Sequence, residues 1–387
     1  MTTVSRARVW RVLYVQASRY VGPFSKGGWR ARWRKAPGSA PRWYGTGLSL
    51  AALVAGLGLV AAQPAAAAES KPRLLSTVTL ALDWTPNTDH TGFYVADTLG
   101  YYRKAGIRLR IIPYTTTSPD ELVAAGRADF GISFESEVAI DEVQGLPVTS
   151  VMAVLQHMAS VVGYRPGSGI RRPRDLVGKT FAWDGGTDEI ASIEYLIDKD
   201  GGKGKLADGK PNFKVVDLST SAYEAVYDGQ ADFDFPLVTW EVIQARLAGE
   251  PMDYFDLQHW GFPDRYEVVL ISSHAFLRGH PGLAKRFVQA SAEGFTYAAH
   301  HPAEAAKILI DDNPGVFSVP ALVYDSAALM AKSFWLDAQG KFGYQDYAKW
   351  YGYTRFAVQA GILRNANGAL VTKVPSNIRT WFTNAYL

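Results

Sequence analysis

The sequence predicts an α/β protein of two lobes, each a parallel or mixed sheet flanked by helices, joined by two chain crossings. Three observations carry the expectation. Short β-rich runs alternate with helical patterns, the order that builds parallel sheets with right-handed crossovers. The alternation breaks off once, at the Gly-, Pro- and Arg-rich stretch YRPGSGIRRPRDLVG (164–178), and then restarts. From His280 onward the pattern reads as helical with no further strand, and a helical tail cannot make a sheet of its own. It has to pack back on the first lobe, which makes that lobe discontinuous.

Residues 1–68 differ in kind from the rest. They hold ten Arg or Lys and no Asp or Glu, then an apolar run GLSLAALVAGLGLVAA (47–62), then QPAAAAES with Ala66 and Ala68 in a small-x-small pattern. Basic, then apolar, then small is the order of a secretory signal peptide, expected to be cut after Ala67 or Ala68. The apolar run has 16 residues, short for a bilayer span of roughly 20; a retained anchor is the alternative. Removing the leader turns a net charge of +3 into −7, with 30 basic and 37 acidic groups left, which argues against nucleic acid as a partner. The chain has no Cys, so disulfides, thiolate metal sites, Cys nucleophiles and a lipid-bearing Cys are excluded together. The expectation is a monomer released outside the inner membrane, periplasmic or secreted. The remaining 319 residues suffice for two domains of about 150 each.

VTLALDW (78–84), IRLRIIPY (107–114), DFGISF (129–134) and PVTSVMAVL (147–155) read as the strands of the first lobe. Between them HTGFYVADTLGYYRKAG, SPDELVAAGRA and ESEVAIDEVQG place apolar residues at three-to-four spacing and end on Gly or Ala, as helices do. After the break, KTFAWD, FKVVDLS and DFDFPLV read as strands, separated by the helical TDEIASIEYLIDKDGG and SAYEAVYDGQA. RYEVVLISS (265–273) is a last strand. The lobes are expected at 69–163 plus 268–387 and at 164–267, with crossings near 162–168 and 264–272.

Ligand sites of open α/β sheets lie beyond the carboxyl ends of strands, and polar-aromatic clusters stand there in both halves. DWTPNTDHTG (83–92) follows the first strand, FESE (134–137) the third, WDGGTDE (183–189) a strand of the second lobe, and TWE (239–241) another. A cleft lined by Trp84, Phe134, Trp183 and Trp240, with carboxylates and amides between, suits a planar hydrogen-bonding heterocycle. Each residue also has an ordinary reading. The tryptophans fit a core equally well, Pro86 and Asn87 fit a turn, His90 could simply begin a helix capped by Asp89, and Glu135 and Glu137 suit a helix start. Gly185 and Gly186 before a helix would let backbone N–H groups approach a ligand. Recurrence at strand ends in both lobes is the stronger argument.

Enzyme motifs are missing. There is no His-Glu-x-x-His, no Gly-x-Ser-x-Gly and no phosphate loop, and the seven His have no metal-ligand spacing. GGKGK (201–205) lacks the Gly-Lys-Ser/Thr ending, and the formal dinucleotide match at Gly56, Gly58 and Ala61 sits in the leader with no preceding strand. No catalytic residue, metal or cofactor is expected.

LDWTPNTDHTGFYVADTLGYYRKAGI, with DFGISF, GLPVTSVMAVLQ, GGTDE and TWE, resembles the extracytoplasmic solute-binding proteins that take up pyrimidine precursors of thiamine for ABC importers. The resemblance covers roughly 76–370. It implies a type II periplasmic-binding-protein fold, with two lobes, two hinge strands, a small-molecule ligand in the cleft and delivery to an ABC permease. The same superfamily contains enzymes that make the pyrimidine with a pyridoxal-phosphate-binding Lys, a sacrificial His and a Cys-rich run. Here the Lys position is Ser133, the His position is Glu137 and Cys is absent, so synthase activity is not expected. Similar proteins carry riboflavin or aliphatic sulfonates; a cleft with several carboxylates and no Arg at the strand ends disfavours a sulfonate. The expected ligand set is Trp84, Asn87, His90, Phe134, Glu137, Trp183, Gly185, Gly186, Glu189, Trp240 and Glu241. Trp84 and Trp183 would stack on an aminopyrimidine ring, with Asn87, Glu137 and Glu189 on its edge.

Overall fold

Alternation sets the first strand: in β1 (Ser76–Ala81) Val78 and Leu80 are fully buried while Thr79 between them is half-buried. The structure, a computed structural model, describes residues 74–218 and 222–387. The expected leader, 1–68, and Ser219 at the end of FKVVDLS lie outside the described residues. β1 pairs in parallel with β2 (Ile107–Ile112) and with β3 (Phe130–Ser133). β4 (Val148–Ala153) and β10 (Val269–Ser273) complete the sheet in the order β2-β1-β3-β10-β4, with β10 antiparallel to both of its neighbours. β3, β4 and β10 are buried along their whole length, and so they read as near-continuous apolar runs, not as alternation.

The second sheet repeats this plan. β6 (Thr180–Trp183) lies between β7 (Lys214–Asp217) and β8 (Phe233–Asp234) in parallel, and β5 (Val162–Tyr164) runs antiparallel to β8 and to β9 (Asp253–Phe255), giving β7-β6-β8-β5-β9. In each sheet the antiparallel fourth strand arrives from the other lobe. A shared device fixes the parallel trio. Asp129 accepts from the Thr79 N–H and hydroxyl at 2.7 and 2.8 Å, and Asp232 accepts from the Thr180 N–H at 2.8 Å, so an Ala-Asp-Phe segment pins the third strand to the first in both lobes.

The crossings run through 154–161, between β4 and β5, and 256–268, between β9 and β10. Both lie earlier than the sequence suggests, because Val162–Tyr164 is a strand of the second sheet and the Gly- and Pro-rich stretch 164–178 is a loop leading on to β6. A three-residue strand carries no periodicity to read. Glu267 of the second crossing ties the two together, accepting from the N–H groups of Ala159 and Ser160 at 2.9 and 3.1 Å and from the Ser160 hydroxyl at 2.9 Å. Asp264 does the same for His157 Nδ1 at 2.7 Å and the Met158 N–H at 3.0 Å.

Four helices follow β10 and its short helix His274–Gly279: Pro281–His300, Pro302–Asp312, Pro320–Ser333 and Tyr347–Gln359. Three begin with Pro at the first turn, where the missing N–H costs nothing. Pro281–His300 packs on helix Thr91–Thr98, closely enough that a Cβ on Gly294 would stand 2.1 Å from the Gly92 carbonyl oxygen. The chain end joins the first sheet, with the Ser150 N–H donating to the Trp381 carbonyl at 2.9 Å and the Thr383 N–H to Ser150 at 2.8 Å. No helix among the described residues is long and apolar enough to cross a membrane.

Candidate functional site

The loop after β1 holds itself rigid. Asn87 is extended, and its Oδ1 accepts from the Asp89 N–H at 2.8 Å to cap the 3-10 turn Thr88–His90. The Asn87 N–H donates to His90 Nδ1 at 3.2 Å, so the ring proton is assigned to Nε2, which donates to Asp83 at 2.8 Å. His90 is fully buried and both its nitrogens are taken. It therefore pins the loop and is withdrawn from the ligand set; Asn87, and not Asp89, is the cap. Asn87 keeps only its amide NH2 for a ligand. Trp84 is half-buried, its ring centroid 5.1 Å from Tyr114 and tilted by 47°. Tyr114, 45% exposed, stands at the carboxyl end of the neighbouring strand β2. The sequence reading passed over it, although its place at the end of IRLRIIPY carries the same signal as Trp84.

Phe134 is the half-buried residue before helix Glu135–Gln144 and packs on the first core. Glu135 turns inward, accepting the Tyr266 N–H of the second crossing at 2.7 Å, and burial pushes its carboxyl up to about 8. Glu137 turns the other way and accepts the Thr187 hydroxyl of the second lobe at 2.6 Å. Burial, opposed by that hydrogen bond, raises it. Ser133 gives its hydroxyl to Asp120 at 2.6 Å. Asp120 faces Asp141, whose own carboxyl is pushed up to about 9 by burial and by the Asp120 charge. A hydroxyl committed in this way is neither an amine nor a free nucleophile.

Across the cleft, Trp183 Nε1 donates to the Gly186 carbonyl at 2.9 Å, and Asp184 accepts the Gly186 N–H at 3.2 Å. Gly185 has φ +114°, a backbone region that favours glycine. A Cβ on Gly186 would meet Glu189 Oε1 at 2.0 Å. These glycines thus serve the loop's own closure, and the Gly186 N–H expected to meet a ligand is occupied by Asp184. Glu189, 7% exposed, shares a hydrogen bond with Asp184, and burial followed by the Asp184 charge holds it well above the usual carboxylate range.

Two further residues of the expected set are differently employed. Trp240 packs on the first lobe's core with its ring edge-on to Phe317, the centroids 6.3 Å apart, so it plugs the seam between lobes. Glu241 accepts the Leu237 N–H at 3.0 Å ahead of its helix, Glu241–Leu247, and burial pushes its carboxyl up to about 7. Close by, Ser326 donates to the Thr239 carbonyl, which makes Thr88 the donor to Ser326 at 2.6 Å. Arg246 pairs with Asp325 at 2.7 Å. The two lobes therefore meet along both sides of the cleft.

Arg265 is the cation that the sequence reading missed. Lying in the second crossing rather than at a strand end, it is buried and paired with Asp188 and, at 3.0 Å, with Glu267. The Tyr353 hydroxyl donates to the same Asp188 at 2.9 Å. One guanidinium thus joins the loop after β6, the hinge and the C-terminal helix Tyr347–Gln359. Among the described residues no group of three or more His, Asp or Glu side chains is placed to hold a metal ion. A cavity of about 550 Å³ beside the crossings is lined by His157, Ser160, Val242, Arg246, Asp325 and Phe334 among others, and none of the expected ligand residues lines it.

The chain is similar to known proteins along most of its length. It is 26% identical over 288 residues to the formylaminopyrimidine-binding protein of Halalkalibacterium halodurans, covering 73% of this chain and 84% of that one. It is 26% identical over 250 residues to the 4-amino-5-hydroxymethyl-2-methylpyrimidine phosphate synthase of Legionella pneumophila, covering 62% and 75%. The periplasmic nitrate-binding protein NrtA of Synechocystis superposes with a TM-score of 0.60 at 14% identity, over 81% of this chain and 87% of that one, which identifies the fold as that of the periplasmic binding proteins. The model of one family, described as NMT1/THI5 like, matches residues 87–305, and the chain belongs to that family.

Proposed function

We propose that the protein is the extracytoplasmic substrate-binding component of an ABC importer, capturing a small aromatic nitrogen heterocycle, an aminopyrimidine precursor of thiamine, by hinge closure. One observation carries the reading: the strand-end loops of two lobes, which the chain links through two stapled crossings, meet at the Glu137–Thr187 hydrogen bond, with the Trp84–Tyr114 pair in the first lobe's loops and Trp183 in the second's. Such a geometry opens and closes around a ligand, and the closed form is what a permease would recognise. The moving lobe runs from Val162, where β5 begins, to Phe255, where β9 ends, and the two crossings hinge it to the first lobe.

The likeness to a formylaminopyrimidine-binding protein supports the ligand class. The likeness to a synthase raises the enzyme reading, and the committed Ser133 hydroxyl speaks against it. Thermal-shift measurements with an aminopyrimidine, riboflavin and an aliphatic sulfonate test the proposal. Stabilisation by the aminopyrimidine, unchanged by pyridoxal phosphate and without product, is expected. Stabilisation by the sulfonate alone would overturn the ligand class, and turnover would overturn the binding-protein reading.

A further inference from the structure

Asp188 stands where a side chain ordinarily serves its own helix. It is the cap residue of helix Glu189–Lys199, and an Asp there usually accepts from the first free N–H groups of the helix. Its carboxylate makes no such bond. It leaves the lobe instead, accepting from Arg265 of the second crossing and, at 2.9 Å, from the hydroxyl of Tyr353, which belongs to the C-terminal helix of the first lobe. All three residues are buried, and the guanidinium lies over the Tyr353 ring, 5.2 Å from its centroid. Arg265 also bonds Glu267 at 3.0 Å, the residue that holds the first crossing through Ala159 and Ser160. Thr187, one residue before Asp188, reaches Glu137 of the first lobe. Further along the same helix the Tyr195 hydroxyl donates to the Gly261 carbonyl at 2.7 Å, and its ring stands edge-on to Phe262 and Phe356 at 5.6 and 5.4 Å. The loop after β6 and the helix it starts are thus tied to the second crossing and to the first lobe.

We propose that Asp188, held by Arg265 and Tyr353, is the latch that locks loop 183–189 of the second lobe against the first lobe, and that Arg265 and Tyr353 are positioning residues which set ligand affinity without touching the ligand. This rests on the reading of the cleft as a binding site that closes by hinge motion. A comparison with the other charged contact between the lobes shows which one governs closure. The Arg246 and Asp325 side chains are 57% and 42% exposed, so water takes the place of each partner on opening. Those of Arg265 and Asp188 are 4% and 6% exposed. When the lobes part, Tyr353 stays with the first and Asp188 leaves with the second, so a buried hydroxyl loses its acceptor and the buried guanidinium is left with one carboxylate fewer. Breaking a buried pair in this way is costly. The latch therefore gives the hinge two discrete states and holds the ligand-free chain mostly in the locked one. A ligand that needs the locked state binds in proportion to its population.

The chain has no Cys, so Lys203→Cys in the second lobe and Lys332→Cys in the first, both at exposed positions, give two unique sites for spin labels. Double electron–electron resonance between them reads the separation of the lobes in the full-length chain. Without ligand the labelled parent is expected to show mainly one, locked distance. Tyr353→Phe removes the hydroxyl alone; it is expected to reduce the locked fraction to about a tenth and to weaken binding of 4-amino-5-hydroxymethyl-2-methylpyrimidine about tenfold. Stopped-flow fluorescence should then show faster association and release that is faster still, and a loss of stability by itself would not speed association. Asp188→Asn keeps the shape and removes the charge; it is expected to shift the distances the same way, and it carries the test if Tyr353→Phe does not fold. Distances and rates equal to the parent's in the folded variants would overturn the latch and leave the heterocycle reading standing. A parent that does not bind the pyrimidine, with distances that still lengthen in the variants, would overturn the heterocycle reading and leave the latch standing.

Discussion

At the scale of single residues, position along a strand was readable and the direction of a side chain was not. Glu137 follows a strand end and reaches Thr187 of the other lobe, and Trp84 stands at a strand end beside Tyr114. His90 and Glu241 stand at equivalent places, yet their polar atoms are consumed within their own loops. Nothing local in the sequence separates the two cases, and the Arg265–Asp188 pair spans 77 positions, beyond the reach of any motif. If Trp84 stacks on the ligand, Trp84→Ala weakens binding by about 1–3 kcal/mol, the worth of one ring against an aromatic side chain; calorimetry on a folded variant with unchanged affinity would remove it from the site. Glu135 makes a pH prediction. Its carboxyl holds a proton up to about 8 in the folded protein against an ordinary value of 4.5, so between those values the folded state binds more protons than the unfolded one. Stability is therefore full in mild acid and falls as pH rises towards 8. Urea midpoints between pH 5 and 8 should show the decline, and Glu135→Gln should flatten it by on the order of a few kcal/mol.

At the scale of elements, the long patterned segments were legible and the short ones were not. The strands of the first sheet sit where their pattern places them, and the segment from His280 onward is helical without a further strand among the described residues. β5 and β9, with three residues each, give too little sequence for a period, which is why both crossings lie earlier than their composition suggests. Packing of helix Thr91–Thr98 against Pro281–His300 depends on two glycines, as neither backbone can retreat without moving a whole helix. Gly294→Ala puts a methyl 2.1 Å from the Gly92 carbonyl oxygen and 2.9 Å from Ala96 Cβ. A cost of about 1–3 kcal/mol is expected for such overpacking, seen as a lowered Tm; a variant as stable as the parent would show that the helices can separate freely.

At the scale of the whole molecule, two lobes share one plan: a parallel trio pinned by an Ala-Asp-Phe segment, then an antiparallel strand supplied by the other lobe. The exchange of strands makes the crossings part of both sheets, so the hinge is anchored at each end by sheet hydrogen bonds and stapled in the middle by Asp264 and Glu267. Rotation about it would break the Glu137–Thr187 and Ser326–Thr239 hydrogen bonds and the Arg246–Asp325 pair, which are exchanged with water on opening. The central claim is that this cleft holds one nitrogen heterocycle per chain, and mass spectrometry of small molecules released from gently purified protein tests it most directly. One equivalent of an aminopyrimidine is the predicted result; a sulfonate or a flavin in its place would contradict it.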